Sequence, residues 1–303
     1  MLKRRTLLQA GAGLLLGSQL NRVSSATAEI ITRPIPASGE LLPVMGMGSS
    51  RTFDVAPDSD TIKQLTEVMQ LFFDMQGALI DSSPMYGAAE SALGTVLANT
   101  QNKQKLFAAT KVWTYGKEEG ITQMQESSRR MGVPVFDLMQ IHNLRDWQLQ
   151  LATLRQWKEE GKIRYLGITT SHQRSHAELE QIMQTEQLDF VQFSYNIDNR
   201  LAEERLLPIA ADRGIATLIN RPFQRGALFR NSKGAPLPGL ASELGCKSWG
   251  QFFLKFIIGH PAVTCLIPAT SKVHHMRDNM GANFGAVPDA SQRREMLKIY
   301  QAL

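Results

Sequence analysis

Short apolar segments recur along this chain and alternate with longer amphipathic segments. Eight of the apolar segments have the length of a strand, and their repetition is typical of parallel strands that are buried on both faces. The predicted strands centre on Leu42–Met47, Ala78–Asp81, Leu106–Thr110, Leu138–His142, Arg164–Ile168, Phe190–Phe193, Ala216–Ile219 and Val263–Ile267. Between neighbouring strands the chain is long enough for the crossover helix that parallel pairing requires.

The intervening segments carry the period of an amphipathic helix. Residues 61–73 place apolar side chains on one stripe, and Asp60 is predicted as the N-cap. Residues 148–160, which end at Gly161, and residues 251–258 show the same periodicity.

The eight strand–helix units follow one another without a break in composition. This pattern predicts an α/β fold, a single (β/α)8 TIM barrel that covers residues 29–303. A dinucleotide-binding doubly wound sheet would need a glycine-rich GxGxxG turn after its first strand. After residue 28 only Gly46-Met47-Gly48 comes near that pattern, and it lacks the third glycine.

Residues 1–28 differ from the rest of the chain. Arg4 and Arg5 precede an apolar run from Leu7 to Leu20, and Ala26-Thr27-Ala28 offers the spacing of small residues that a signal peptidase accepts. The segment resembles a twin-arginine signal peptide, which predicts export of the folded protein by the twin-arginine machinery to the periplasm or otherwise outside the cytoplasm. A membrane anchor is disfavoured because the run is shorter than the roughly 20 apolar residues of a stable membrane span.

The charge of the chain is concentrated in the same segment. The whole sequence has a net charge of +5, but without residues 1–28 there remain 29 basic and 28 acidic residues. A nearly neutral protein gives no electrostatic reason to expect a nucleic-acid partner. The two cysteines, Cys246 and Cys265, are too few for a metal site, and Cys265 in a predicted strand favours two separate buried thiols over a disulfide.

Ionisable side chains follow the ends of three consecutive predicted strands. Asp81 ends the second strand and Tyr86 follows it, Lys111 ends the third, and His142 ends the fourth. Active sites of TIM barrels lie at the carboxyl ends of the strands, so the four side chains are expected to converge. Each residue alone has a structural interpretation, as a cap, a packed aromatic ring or a core histidine.

Together the four groups suit the reduction of a carbonyl, which needs a hydride on carbon and a proton on oxygen. A phenol donates a proton poorly unless its pKa is tuned, and an ammonium group beside it stabilises the phenolate. A carboxylate holds the ammonium, and an imidazole polarises the substrate oxygen.

Three motifs resemble those of the aldo-keto reductase family. Residues 79–90 (LIDSSPMYGAAE) are similar to its Asp-x-x-x-x-Tyr-Gly-x-x-Glu signature, residues 109–112 (ATKV) to its Thr-Lys strand, and residues 137–143 (DLMQIHN) to its Asp-Leu-x-x-x-His strand. The resemblance runs from Met45 to Ala282. It implies that Tyr86 is the general acid, with Lys111 and Asp81 tuning it and His142 orienting the carbonyl.

The resemblance also implies an extended NADPH bound by the loops after strands five to eight. Hydroxyl and cationic groups near residues 269–279 suit a ribose 2′-phosphate, which favours NADPH over NADH. The implied cofactor-binding residues are Thr169, Thr170, Gln192, Asn220, Arg221, Pro222, Phe223, Arg225, Gly226, Ala269, Thr270, Ser271, Lys272, His275, Asp278 and Asn279.

This chain departs from the family pattern at two places. The usual Ser-Asn after strand five is Thr169-Thr170, so a threonine replaces the asparagine that contacts the nicotinamide amide. Asn220 replaces the aromatic residue that stacks on the nicotinamide ring. Arg221 and Arg225 add cations that suit either the cofactor pyrophosphate or an acidic substrate.

The sequence therefore predicts an NADPH-dependent reductase of an aldehyde or ketone, a small-molecule carbonyl substrate. An exported NADP(H)-binding scaffold or sensor with little turnover is the alternative. A TIM-barrel hydrolase or isomerase is disfavoured, because this sequence has neither the carboxylate pairs nor the metal ligands that such enzymes usually place at the strand ends. The glycine- and proline-rich segment 223–243 is predicted to be a loop that acts as a lid or cofactor clamp, with a disordered spacer as the alternative. The apolar pocket walls are predicted to be Phe53, Trp113, Tyr115 and Phe223.

Overall fold

Eight parallel strands form the centre of the molecule. The structure, a computed structural model, describes residues 29–303, and the predicted twin-arginine signal at residues 1–28 lies outside the described residues. The strands pair in chain order, from first to last, in one sheet. Two isolated parallel bridges, Met45 with Leu266 and Gly48 with Ala269, join its edges and nearly close the barrel. The predicted (β/α)8 barrel is thus confirmed.

The first two strands form a short antiparallel pair that precedes the barrel, and the eight strands after them form the barrel. The strands are β1 Thr32–Pro34, β2 Leu41–Pro43, β3 Met47–Gly48, β4 Leu79–Asp81, β5 Phe107–Val112, β6 Phe136–His142, β7 Ile163–Thr169, β8 Phe190–Ser194, β9 Ala216–Asn220 and β10 Cys265–Leu266. The helices are α1 Thr61–Asp74, α2 Ala89–Ala98, α3 Lys117–Met131, α4 Trp147–Glu159, α5 His176–Thr185, α6 Leu206–Arg213, α7 Leu228–Asn231, α8 Gly239–Glu243, α9 Trp249–Ile258, α10 Val273–Gly281 and α11 Ala290–Gln301. No helix among residues 29–303 is long and apolar enough to cross a membrane.

The alternation of side chains along each strand places the polar residues. In β6, Leu138 packs inside the barrel, whereas Met139 and Ile141 pack outward against the helices. Successive side chains of a strand point to opposite faces, so Gln140 and His142 share the inner face with Leu138. The same alternation brings Asp81, Lys111, Gln192 and Asn220 inward, above a layer of apolar residues on their own strands.

The predicted bounds of the first strand and the predicted N-cap of the first helix were wrong. The first predicted strand, Leu42–Met47, is divided, because residues 41–43 pair antiparallel with β1 and the barrel strand begins only at Met47. Pro43 has no N–H to donate to a ladder, which suits the end of an edge strand. Asp60 precedes α1, but its side chain caps nothing, and the Ser59 hydroxyl accepts from the Thr61 N–H instead.

The segment 223–243, predicted as a loop, contains the short helices α7 and α8. Leu228 and Leu240 anchor these helices in the main core, which accounts for local order that the glycine and proline content did not indicate. Cys246 and Cys265 are both buried and free, as predicted.

Candidate active site

A cavity of about 1050 Å³ opens at the carboxyl ends of the barrel strands. Among the predicted site residues, those that line it are Asp81, Tyr86, His142, Thr169, Gln192, Asn220, Arg221, Pro222, Phe223, Arg225, Gly226, Ala269, Thr270, His275, Asp278 and Asn279. The structure thus brings the ends of β4, β6, β7, β8, β9 and β10 to one space. Lys111, Thr170, Ser271 and Lys272 are not on its wall.

Lys111 lies directly behind the wall and forms a buried ion pair. Its Nζ donates to Asp81 Oδ2 at 2.5 Å and to the Ser82 carbonyl at 2.6 Å, and the side chains of Lys111 and Asp81 are 0% and 2% exposed. Burial alone would lower the pKa of Lys111, but the charge of Asp81 raises it above its ordinary value. The ammonium is therefore charged at neutral pH.

Tyr86 lies over this pair at the edge of the cavity. The Lys111 Nζ is 5.2 Å from the centre of the Tyr86 ring. Burial raises the pKa of the phenol above 10, and the Lys111 charge opposes this rise. At neutral pH the phenol consequently keeps its proton, and the nearby ammonium is placed to stabilise the anion left when that proton is given away.

His142 packs edge-on against Tyr86, with ring centres 5.6 Å apart. Its Nδ1 shares a hydrogen bond of 2.8 Å with the buried Ser83 hydroxyl, which also accepts from the Met85 N–H. Burial and then the charge of Lys111 lower the pKa of His142 to about 2. The imidazole is therefore neutral, and it can donate through Nε2 only if Nδ1 accepts from Ser83.

A chain of buried amides continues from Asp81 across the barrel. Gln140 and Gln192 each donate to Asp81 Oδ1, at 2.8 and 3.1 Å. Asn220 donates to Gln192 Oε1 and accepts from the Ser194 hydroxyl at 2.6 Å. These bonds hold the amide of Asn220 in place, at the position where the sequence resemblance implied an aromatic ring.

Sequence reasoning missed several residues of this site. Gln140 and Ser83 contact the predicted groups directly, and Arg51 follows the first barrel strand on the cavity wall. The signal for Gln140 was available, since it stands two positions before His142 and so shares its strand face. Ser83 lies inside the quoted motif, but its contact with His142 is between distant segments.

The remaining predicted residues fall outside the cavity for identifiable reasons. Thr170 is buried, and its hydroxyl accepts from the His172 N–H. Ser271 uses its carbonyl to accept from Gln64, and Lys272 is an exposed residue that precedes α10.

Three of the four predicted apolar walls were wrong. Phe53 is fully buried in the core, and the guanidinium of Arg145 lies over Trp113 and Tyr115, at 4.4 and 5.0 Å from their ring centres. Of the four, only Phe223 lines the cavity.

Comparisons with known proteins cover nearly the whole described chain. The model of the Aldo/keto reductase family matches residues 44–296. Methylglyoxal reductase YeaE of Escherichia coli (strain K12) is 26% identical over 254 residues, which cover 81% of this chain and 87% of that protein. Aldo-keto reductase AKR2E4 of Bombyx mori is 23% identical over 263 residues, which cover 80% of this chain and 84% of that protein.

Solved structures share the fold. An aldo/keto reductase from Klebsiella pneumoniae, crystallised with NADP and acetate, superposes with a TM-score of 0.72 at 20% identity and covers 86% of this chain and 93% of its own. The thermostable aldo-keto reductase Tm1743, crystallised with the inhibitor epalrestat, gives a TM-score of 0.74 at 21% identity, over 89% of this chain and all of its own.

Proposed function

Because this chain belongs to the aldo/keto reductase family, we propose that it reduces an aldehyde or ketone to the alcohol with NADPH as the reductant. The observation that carries the proposal is the meeting of Tyr86, His142 and the Lys111–Asp81 pair at one end of a large cavity. These groups come from three separate strand ends, and their chemistry is that of proton delivery to a developing alkoxide.

The cavity wall suits NADPH in its donor chemistry. NADP and NADPH are bound in crystal structures of Klebsiella pneumoniae aldo-keto reductases that share this fold. In this chain, Thr270 and His275 lie where α10 begins, and the N-terminus of a helix attracts phosphate. Arg225 adds positive charge on the β9 side of the same cavity. We assign the cofactor to this wall, with the nicotinamide, when bound, supplying the hydride to the carbonyl carbon.

Tyr86 is the proposed general acid. As the carbonyl carbon gains the hydride, the carbonyl oxygen takes the phenolic proton, and the product is the neutral alcohol. The Lys111 ammonium stabilises the phenolate that remains, and the Asp81 carboxylate keeps that ammonium charged within a buried environment. The phenolate then regains a proton from solvent through the open cavity.

His142 is the proposed group that orients the carbonyl. A neutral imidazole whose Nδ1 accepts from the Ser83 hydroxyl presents an N–H at Nε2. That N–H can donate to the substrate oxygen and polarise the carbonyl without competing as a proton source, because the pKa of His142 is far below that of an ordinary imidazole.

The test compares two tyrosine variants of the full protein. Tyr86→Phe should lower NADPH-dependent turnover of an aldehyde panel by about 10²-fold or more and leave the Kd for NADPH within a small factor. The control is Tyr115→Phe, which removes a hydroxyl from an exposed tyrosine outside the cavity and should retain turnover. Turnover by Tyr86→Phe at the wild-type rate would remove Tyr86 from the mechanism. Slow NADPH release with negligible turnover in the wild-type protein would favour the scaffold or sensor instead.

We further propose that residues 1–28 direct export by the twin-arginine route, on the pattern of Arg4-Arg5 before an apolar run. Cell fractionation tests this. The wild-type protein should accumulate outside the cytoplasm, and an Arg4→Lys, Arg5→Lys variant should remain inside. Equal distribution of the two proteins would refute the proposal.

A further inference from the structure

Three arginines line the active-site cavity without a carboxylate to neutralise them. Arg51, Arg221 and Arg225 all contribute to its wall, yet none forms an ion pair with any residue from 29 to 303. Arginine is always charged, and cations without an ion-pair partner on a concave wall attract anions to it. The cavity is therefore built for a ligand with negative charge.

The acidic residues on the same wall are already engaged. Asp54 accepts from the Ala88 N–H, Asp81 pairs with Lys111, and Asp278 accepts from Ser248 and Gln251. None of the three carboxylates forms an ion pair with an arginine of the cavity, so the three guanidinium groups are available to a bound molecule.

Arg51 belongs to the loop that packs beside Tyr86. Two residues before it, Ser49 donates through its N–H to the Asp81 carbonyl at 3.0 Å and through its hydroxyl to Ser82 at 2.9 Å. Three residues after it, Asp54 lies so close to Gly87 that a Cβ there would be 2.2 Å from Asp54 Oδ1. The loop is thus fixed on both sides to the segment that carries the proposed acid.

Arg221 approaches the same end of the cavity from β9. Its Nη2 donates to the Ser171 hydroxyl at 2.8 Å. Burial, followed by the charges of Arg225 and Arg51, lowers the pKa of Arg221, and the charge of Arg221 in turn acts on Tyr86. Arg221 and Arg51 thus line the same cavity, the first from the end of β9 and the second from a loop anchored to the segment that carries Tyr86.

The backbone of all three arginines is in the left-handed region, with φ of 64° at Arg51, 52° at Arg221 and 56° at Arg225. Residues other than glycine rarely adopt this conformation, and where the surroundings impose it, it concentrates at functional sites. Its recurrence at the three unpaired cations of one cavity is consistent with a binding role.

We propose that Arg51, together with Arg221, binds a carboxylate carried by the carbonyl substrate, so that the enzyme prefers oxo acids to neutral aldehydes. The inference rests on the proposed reductase function and adds the substrate class. The cofactor phosphates are the other possible source of negative charge, because Gly48 at the start of the loop that carries Arg51 is bridged to Ala269 of the predicted cofactor wall. The other end of the loop is anchored through Asp54 beside Tyr86, which favours the substrate. Arg225 remains assigned to the cofactor.

The experiment measures KM at saturating NADPH for 4-oxobutanoate against butanal and for 6-oxohexanoate against hexanal. In the wild-type protein the oxo acid of at least one pair should have the lower KM. Arg51→Gln should raise the KM ratio of oxo acid to aldehyde in that pair about tenfold or more, since a hydrogen bond to a charged group is lost. Arg51→Lys, which keeps the charge, should raise it much less. Arg294→Gln, an exposed arginine of α11 outside the cavity, is the matched control for net charge.

Titration of NADPH into each variant distinguishes the two sources of negative charge. If Arg51→Gln weakens NADPH binding and leaves the KM ratios as in the wild-type protein, the arginine serves the cofactor and the proposal is overturned. A wild-type protein that shows no preference for either oxo acid also overturns it. If no carbonyl compound is reduced at all, the proposed function fails, but calorimetric titration of succinate into the NADP⁺-saturated protein still tests the carboxylate subsite. Binding to the wild-type protein that is lost in Arg51→Gln supports the subsite. Absence of binding to the wild-type protein refutes the subsite.

Discussion

The buried pair of Lys111 and Asp81 allows a quantitative test through the substitution Lys111→Met. Methionine keeps an unbranched apolar chain in a space that is 0% exposed but removes the charge. Asp81 would then keep only the amide donors Gln140 and Gln192. Breaking a buried ion pair by removing one partner costs about 3–5 kcal/mol. Because the two amides stay, we expect a loss in the free energy of unfolding of about 3 kcal/mol, which is a fall in Tm of roughly 6–12 °C for a domain of this size.

The double variant Asp81→Asn, Lys111→Met separates stability from chemistry. It leaves no unpaired buried charge, so it should recover much of the stability that Lys111→Met loses. NADPH-dependent turnover should be about 10²-fold or more below that of the wild-type protein in both variants, because neither has an ammonium beside Tyr86. Thermal unfolding and steady-state kinetics provide the measurements. A Lys111→Met protein within about 1 kcal/mol of the wild type, or a double variant less stable than the single one, would refute this electrostatic account.

Two further predictions concern His142. Ser83→Ala removes the hydroxyl that shares a hydrogen bond with His142 Nδ1, so kcat should fall about tenfold with little change in NADPH affinity. In this variant, ¹⁵N NMR of the imidazole should show a mixture of tautomers. A single tautomer with a proton on Nε2 would contradict the role of Ser83. The pKa of His142 is lowered to about 2 by burial, so below pH 6.5 the unfolded chain binds a proton that the folded protein does not. Stability should therefore be largest above pH 6.5 and fall by about 1.4 kcal/mol per pH unit on acidification, roughly 2 kcal/mol by pH 5. His142→Gln should show a correspondingly shallower decline in denaturant titrations, and an unchanged slope would show that His142 is not buried as a neutral group.

The sequence by itself determined the fold class and the residues at the barrel mouth. Strand alternation is a local property, since every second side chain points to the same face. Asp81, Lys111 and His142 stand in register with apolar residues of the same strands, so their inward direction was implicit in the pattern. For the same reason Gln140 was predictable, although only its contact with Asp81 explains its presence.

Only the tertiary structure decided which loops border the site. The loop that carries Arg51 is held by Ser49, which contacts Ser82, and Ser83 contacts His142; both contacts join segments that are far apart in the sequence. The same holds for Arg145, whose guanidinium covers the rings of Trp113 and Tyr115. Loop conformation has no repeating period from which it can be read, because it depends on the long-range contacts that anchor each loop. The strand pattern therefore places Asp81, Lys111 and His142 at the barrel mouth, whereas the packing of loops over the barrel decides the charge and shape of the cavity.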